Sequence, residues 1–311
     1  MDTTNEFHNI NTSAGDVKQQ LAAIDNAEAE FVKAKISALQ DDFKTAIEIF
    51  KRVVSLNPRH HEALYCLGTL LYEQNEYDEA IKYLENYIIE KPAATDAFFL
   101  IGKIYVEKGN LSGGIEYLEK TISLDNNHAE AYLYLGMTYA ACDKYAEAVQ
   151  SLELALNLNT STREIYNIIG NAWLHLGNYE KTVEYCRKYI ELYGDSSDTY
   201  SILTNAYVYS GEYEHAVETA QKAIALNPQD SDAYVALGNA HFALGDHQEA
   251  LSAIRNAIHI DDTNAEAYAV GGNIFYAMEH FAQALYSYRK AFEIAPHKLL
   301  TDNRLLEPEG K

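Results

Sequence analysis

The stretch EALYCLGTLLYEQNEYDEAIKYLENYIIEKP, residues 62–92, decides the fold. Leu64, Leu67 and Leu71 recur at helical spacing, and so do Ala80, Ile81, Leu84 and Ile88 beyond a polar break. Two amphipathic helices therefore follow one another, with a turn between them. Gly68 sits inside the first, where a glycine costs about 1 kcal/mol against alanine. Gly102, Gly136, Gly170, Gly238 and Gly272 fall on the same 34-residue period, with Thr204 in the one gap. A cost accepted at fixed intervals marks a repeated packing need.

Eight units align without an insertion, at 27–60, 61–94, 95–128, 129–162, 163–196, 197–230, 231–264 and 265–298. Twelve residues after the glycine position stands Ala46, Ala80, Gly114, Ala148, Thr182, Ala216, Ala250 or Ala284, so small faces small where two helices approach. Between the helices, Gly109, Gly177, Gly211 and Gly245 suit a left-handed helix end. Four of the five prolines, Pro58, Pro92, Pro228 and Pro296, share one position near the end of a unit, where a missing N–H stops the second helix. Two tyrosine-rich ladders, Tyr132 to Tyr268 and Tyr105, Tyr139, Trp173 and Tyr207, read as packing between units. The fifth unit is the least regular, with Thr182, Tyr189 and Gly194 in place of Ala, Ala and Pro, and a changed angle between units is expected near 190–205.

A 34-residue helix–turn–helix with Leu-Gly, a tyrosine three residues later, a mid-unit Ala and a final Pro resembles the tetratricopeptide repeat. The resemblance covers residues 27–298. It implies an all-α chain: a right-handed α-α superhelix of antiparallel helix pairs whose first helices line a concave groove. It also implies work in protein–protein recognition, but does not name the partner. Residues 1–26 read as a polar tail and short capping segment, 27–298 as the repeat domain, and 299–311 as a short C-terminal cap.

Family geometry places three ladders in the groove. In the first half they hold Phe31, Lys35, Tyr65, Thr69, Tyr72, Phe99, Lys103, Leu133 and Met137. In the second half asparagines follow: Asn167, Asn171, Asn205, Asn239 and Asn273. An aromatic patch offers anchors, and an amide both donates to and accepts from a peptide backbone. The first half is thus expected to anchor an apolar segment, with an acid near the lysines. Its polar stretch would run along the asparagines, although asparagine is also common after that glycine in the family. A carboxylate clamp of the cochaperone kind is rejected, because its lysine–asparagine pairs are missing here. An acid opens every first helix: Glu28, Glu62, Asp96, Glu130, Glu164, Asp198, Asp232 and Glu266. Interaction with the helix dipole accounts for that ladder, which would also attract a basic segment.

The formal charge of −22 disfavours phosphate backbones and anionic lipid, so nucleic acid is excluded as a partner. No apolar stretch approaches the ~20 residues that span a bilayer, so no membrane insertion is expected. The opening residues carry no secretory h-region, and three scattered cysteines form no CxxC, which fits a cytoplasmic protein. No phosphate-binding, zinc-protease or nucleophile-elbow motif is present, and DNNHAE (125–130) and DDTNAE (261–266) are poor calcium loops. The expected protein is not an enzyme and has no catalytic residues, cofactor or metal. It is an adaptor or scaffold that binds a peptide segment of another protein. Two alternatives stay open: a regulatory or targeting subunit of an enzyme complex, and a scaffold that self-associates through its end repeats.

Overall fold

A computed structural model describes residues 26–160 and 162–296, and 81% of these are helical, with no strand among them. The polar tail and most of the N-terminal capping segment, and the C-terminal cap, lie outside the described residues. A first helix, α1, covers 26–39. It is followed by α2 (Phe43–Leu56), α3 (His61–Glu73), α4 (Tyr77–Glu90), α5 (Thr95–Glu107), α6 (Leu111–Leu124), α7 (Ala129–Ala141) and α8 (Tyr145–Asn157). Then come α9 (Arg163–His175), α10 (Tyr179–Tyr193), α11 (Ser197–Ser210), α12 (Tyr213–Leu226), α13 (Ser231–Leu244), α14 (His247–Ile260), α15 (Ala265–Ala277) and α16 (Phe281–Ile294). Odd-numbered helices are the first of each pair. Two compact units divide after Thr138.

In the first unit α3 packs on α4 and α5 on α6, with α2 and α4 each touching the next first helix. The core is continuous from Ala27 and Phe31 through Phe50, Leu67 and Leu84 to Ile101 and Ile104. In the second unit the first helices α9, α11, α13 and α15 touch in succession, and each also packs on its own second helix. No described helix is long and apolar enough to cross a membrane.

The in-helix glycines have a specific job. A Cβ added at Gly68 would lie 2.6 Å from Leu84 Cγ and 3.4 Å from the Ala80 carbonyl oxygen. Gly238 stands in the same relation to Ile254, at 2.7 Å, and Gly272 to Tyr288, at 2.5 Å. The element pressed into the glycine notch is thus the residue sixteen positions later, beside the small residue that the sequence pointed to. Where Thr204 fills the notch, that later position is Ala220, and both are fully buried. The Thr204 hydroxyl donates to the Tyr200 carbonyl at 2.7 Å and lies 2.8 Å from the Thr219 hydroxyl. Thr182 donates to the Gly170 carbonyl at 3.1 Å, so in the fifth and sixth units a hydrogen bond crosses a pair that at Gly68 and Gly238 is closed by side-chain contact.

Seven residues after the glycine position, every unit turns left-handed: Asp41, Asn75, Gly109, Asp143, Gly177, Gly211, Gly245 and Glu279 all have positive φ. Four are glycine, which takes that conformation without strain, and four are not. The closing proline plays a smaller part than its spacing suggests. Helix α12 ends in an extended residue, Asn227, before Pro228, but α6 and α14 end in the same geometry at Asp125 and Asp261, before Asn126 and Asp262. In those units the Asp125 and Asp261 side chains accept from the N–H of Asn127 and Thr263, each at 2.9 Å. These are turns of the acidic segments that faintly resembled calcium loops. The irregular fifth unit has the longest second helix, 15 residues, closed by Gly194 at φ 85°.

Candidate functional site

In the first unit the ladder residues are largely engaged with neighbouring side chains. Phe31 is buried, its ring 5.7 Å from Phe50 and 4.6 Å from His60, and Lys35 Nζ lies 5.5 Å from the Phe31 centroid. His60 is itself a helix cap, its Nδ1 accepting from the Ala63 N–H at 3.3 Å. Tyr65 is half-buried against Tyr87 at 5.1 Å, and Thr69 donates to the Tyr65 carbonyl. Phe99 lies 4.7 Å from His128 and 5.6 Å from Tyr134. Leu133 is buried, and Met137 is exposed. The burial of Phe31 and Leu133 removes both from any open face; they are core.

Lys103 has the most developed environment in that unit. Its Nζ stands 5.3 Å from the centroids of both Tyr72 and Tyr134. Burial pulls the ammonium pKa down, but hydrogen bonds to the two tyrosine hydroxyls outweigh it and hold the group above the usual lysine range. Tyr72 in turn donates to Glu107 at 2.9 Å and stacks on Tyr77. The two rings, the cation and the carboxylate satisfy one another.

The second unit differs. Helices α9 and α11, with the end of α7, the start of α8 and the start of α13, enclose an open cavity of about 510 Å³. Asn167, Asn171 and Asn205 line it together with Ile168, Ile202, Ser201 and Tyr145. Asp198, Asp230 and Asp232 also line it. Asn167 accepts from the Thr199 hydroxyl at 2.8 Å and is held in place by it. Asn171 and Asn205 make no hydrogen bond with another described residue, and Ser201 Oγ is buried without a partner. Asn239 is half-buried, whereas Asn273 accepts from the Tyr288 hydroxyl at 2.7 Å. The structure thus brings three of the five asparagines into one cavity and ties Asn273 to the core.

Tyr145 and Asp230 are among the lining residues that the sequence reading did not single out. Tyr145 belongs to a further 34-residue ladder that opens the second helices: Phe43, Tyr77, Tyr145, Tyr179, Tyr213 and Phe281, interrupted by Leu111 and His247. Its ring stacks on His175 with centroids 4.2 Å apart. Asp230 is the cap of α13, accepting from the Ala233 N–H at 3.1 Å and from the Ser197 hydroxyl at 2.7 Å. The periodicity of the first and the cap position of the second were both readable. A smaller concavity of about 380 Å³ lies among α8, α9 and α10 beside Trp173, whose ring carries Lys181 Nζ at 4.0 Å.

Models of the tetratricopeptide repeat match residues 95–128, 117–150, 164–196 and 203–265. A model of subunit 3 of the anaphase-promoting complex, or cyclosome, matches residues 19–87. No curated protein matches the chain. Among solved structures, a tetratricopeptide repeat protein from Parabacteroides merdae superposes with a TM-score of 0.65 at 17% identity, over 77% of this chain and 95% of that one. The C-terminal part of a TPR repeat-containing protein from Cytophaga hutchinsonii gives 0.60 at 20% identity, over 77% and 98%. YrrB, described as a TPR protein with an unusual peptide-binding site, gives 0.51 at 18% identity, over 59% and 95%. At these identities the likeness is one of fold.

Proposed function

Because the chain belongs to the tetratricopeptide repeat family, we propose that it is a non-enzymatic adaptor or scaffold that holds a peptide segment of another protein in the cavity of its second unit. Members of the family are in general non-catalytic interaction proteins, and the solved relative YrrB is a peptide binder by its description. The observation that carries the reading is the pair of uncommitted amides, Asn171 and Asn205, on the wall of one cavity. Each offers a donor and an acceptor in the same position of successive first helices, which matches the alternation of a peptide main chain. Ile168 and Ile202 add apolar surface beside them. Asn167 contributes through its free amide hydrogens, its oxygen being occupied by Thr199.

This shifts the anchor of the groove from the aromatic first half to the amide-bearing second half. Affinity-capture mass spectrometry of the full chain against the Asn171→Ala/Asn205→Ala variant tests it. Partners enriched on the native chain and lost from the variant, at unchanged melting temperature, are expected. Equal capture by both would sink the reading.

Self-association is a second reading that one observation favours. Tyr276, Phe281, Leu285, Tyr286 and Phe292, on α15 and α16, are each more than half exposed. An apolar face of that kind marks an interaction site. Sedimentation over a wide concentration range separates the readings: a monomer throughout removes self-association.

A further inference from the structure

We infer that the segment held in this cavity carries a basic side chain, a lysine or arginine, whose cation sits among Asp198, Asp230 and Asp232; the inference rests on the groove reading above. One acid at the start of each first helix is explained by the helix dipole. The dipole does not explain why two of those acids, Asp198 and Asp232, open onto one cavity with a third carboxylate, Asp230.

Nor does the chain supply a counter-ion. Helices α11, α13 and α15 contain no lysine or arginine. No lysine or arginine lines the cavity, and among the cations on neighbouring helices Arg163 is paired with Glu164, Lys181 lies on Trp173, Arg187 on the Tyr207 hydroxyl, Lys188 on Glu184 and Lys222 on Glu218. Asp230 is held by Ser197 and the α13 N-terminus, and Asp232 accepts from Asn264 Nδ2 at 2.9 Å. These neutral partners orient the two carboxylates and leave their charge in place. Asp198 is exposed and makes no hydrogen bond with a described residue.

The rest of the wall fits the same ligand. Lysine and arginine lay an aliphatic stem on apolar surface while the charged head stays polar, and Ile168 and Ile202 offer that surface beside the asparagines. The unpartnered Ser201 Oγ accepts a guanidinium or ammonium N–H, or donates to a main-chain carbonyl. An acidic segment meets three carboxylates and no cation. This reverses the charge expected from the lysines of the first half: Lys103 is already occupied by two tyrosines.

The test uses the full chain and degenerate nonapeptide pools with the central residue fixed as Lys, Arg, Ala or Glu, read by fluorescence anisotropy at low and high salt. The pools with central Lys or Arg should bind best and weaken with salt. Asp198→Asn/Asp232→Asn should weaken them about fivefold for each carboxylate removed and leave the Ala pool unchanged. Asp230 is spared because it caps α13. Should the double variant melt early, Asp198→Asn alone serves, its side chain having no bond to lose. Equal binding of the four pools, or a variant that still prefers basic pools as the native chain does, overturns the inference and leaves the groove reading standing. Binding of no pool, or binding indifferent to Asn171→Ala/Asn205→Ala, overturns the groove reading and the inference with it.

Discussion

Residues 26–138 and 139–296 are built on one repeat, yet they use its ladder positions in opposite ways. In the first region most groove-ladder side chains are spent on neighbouring rings, with Met137 left exposed: Lys103 lies between Tyr72 and Tyr134, Tyr65 against Tyr87, and Phe99 against His128. In the second they are smaller and polar, and Asn171 and Asn205 remain uncommitted beside a cavity. Backbone periodicity puts a residue in a position; the volume and hydrogen-bond appetite of its neighbours decide whether it is available. Aromatic rings reach across a helix pair and fill the space between first helices. Asparagine leaves that space open.

The largest stability effects should come from the glycine notch, which the two regions also fill differently. Leu84→Ala empties the contact with Gly68 in the first region, and chemical denaturation should show a loss of about 2–5 kcal/mol. The corresponding position in the second region, Ala220, faces a unit whose notch holds Thr204. Ala220→Leu should overpack it by about 1–3 kcal/mol, and Thr204→Gly in the same chain should recover part of that loss. A tolerated leucine at 220, with no effect of the second change, would break the notch comparison.

The buried Thr204–Thr219 pair tests the polar closure found in the second region. Thr204→Val or Thr219→Val alone leaves the other hydroxyl bonded only to its own preceding-turn carbonyl, Tyr200 or His215, and should cost about 0.5–1.5 kcal/mol. The double change to valine replaces both partners and should cost less than the sum of the singles. Additive losses would show that the two hydroxyls do not interact.

Of similar size is the worth of the lysine cage in the first region. Lys103→Met removes a cation over two rings and should lower stability by about 0.5–2 kcal/mol, whereas the exposed Asn171→Ala should stay within about 0.5 kcal/mol. Equal effects would mean that Lys103 is as uncommitted as Asn171. Thiol labelling gives a gentler comparison. Burial pushes the Cys186 thiol up to about 12, and burial also raises Cys66, less completely shielded. Native Cys186 should therefore label only through opening of its unit, more slowly than Cys66. Faster labelling of Cys186 would place the weaker packing in the second region.

Most of the fold was legible because the period is carried by residue size and by backbone demands, both of which are local. The glycine notch, the left-handed turn at Gly109 and the eight helix pairs follow from them. The partner in the notch was harder to see, since Leu84, Cys186, Ala220 and Tyr288 share a position but no chemistry. The proline position overstated its own role, because Asp125 and Asp261 end their helices equally well with a side-chain turn. The candidate site was only half legible. Periodicity put Phe31 and Asn171 in the same family of positions, but burial of the one and exposure of the other depend on rings contributed from other helices. The acid ladder was visible throughout; that two of its members share a cavity with Asp230 needed three-dimensional neighbours.

The central claim is that the second region offers its ladder and the first consumes its own. Tyr65→Ala/Phe99→Ala and Asn171→Ala/Asn205→Ala, each compared with the native chain for melting temperature and for partner capture, address it directly. The aromatic pair should lower the melting temperature, with capture retained wherever the chain stays folded. The asparagine pair should leave melting unchanged and abolish capture. An aromatic variant that melts like the native chain but captures nothing, beside an asparagine variant that captures normally, would contradict the account.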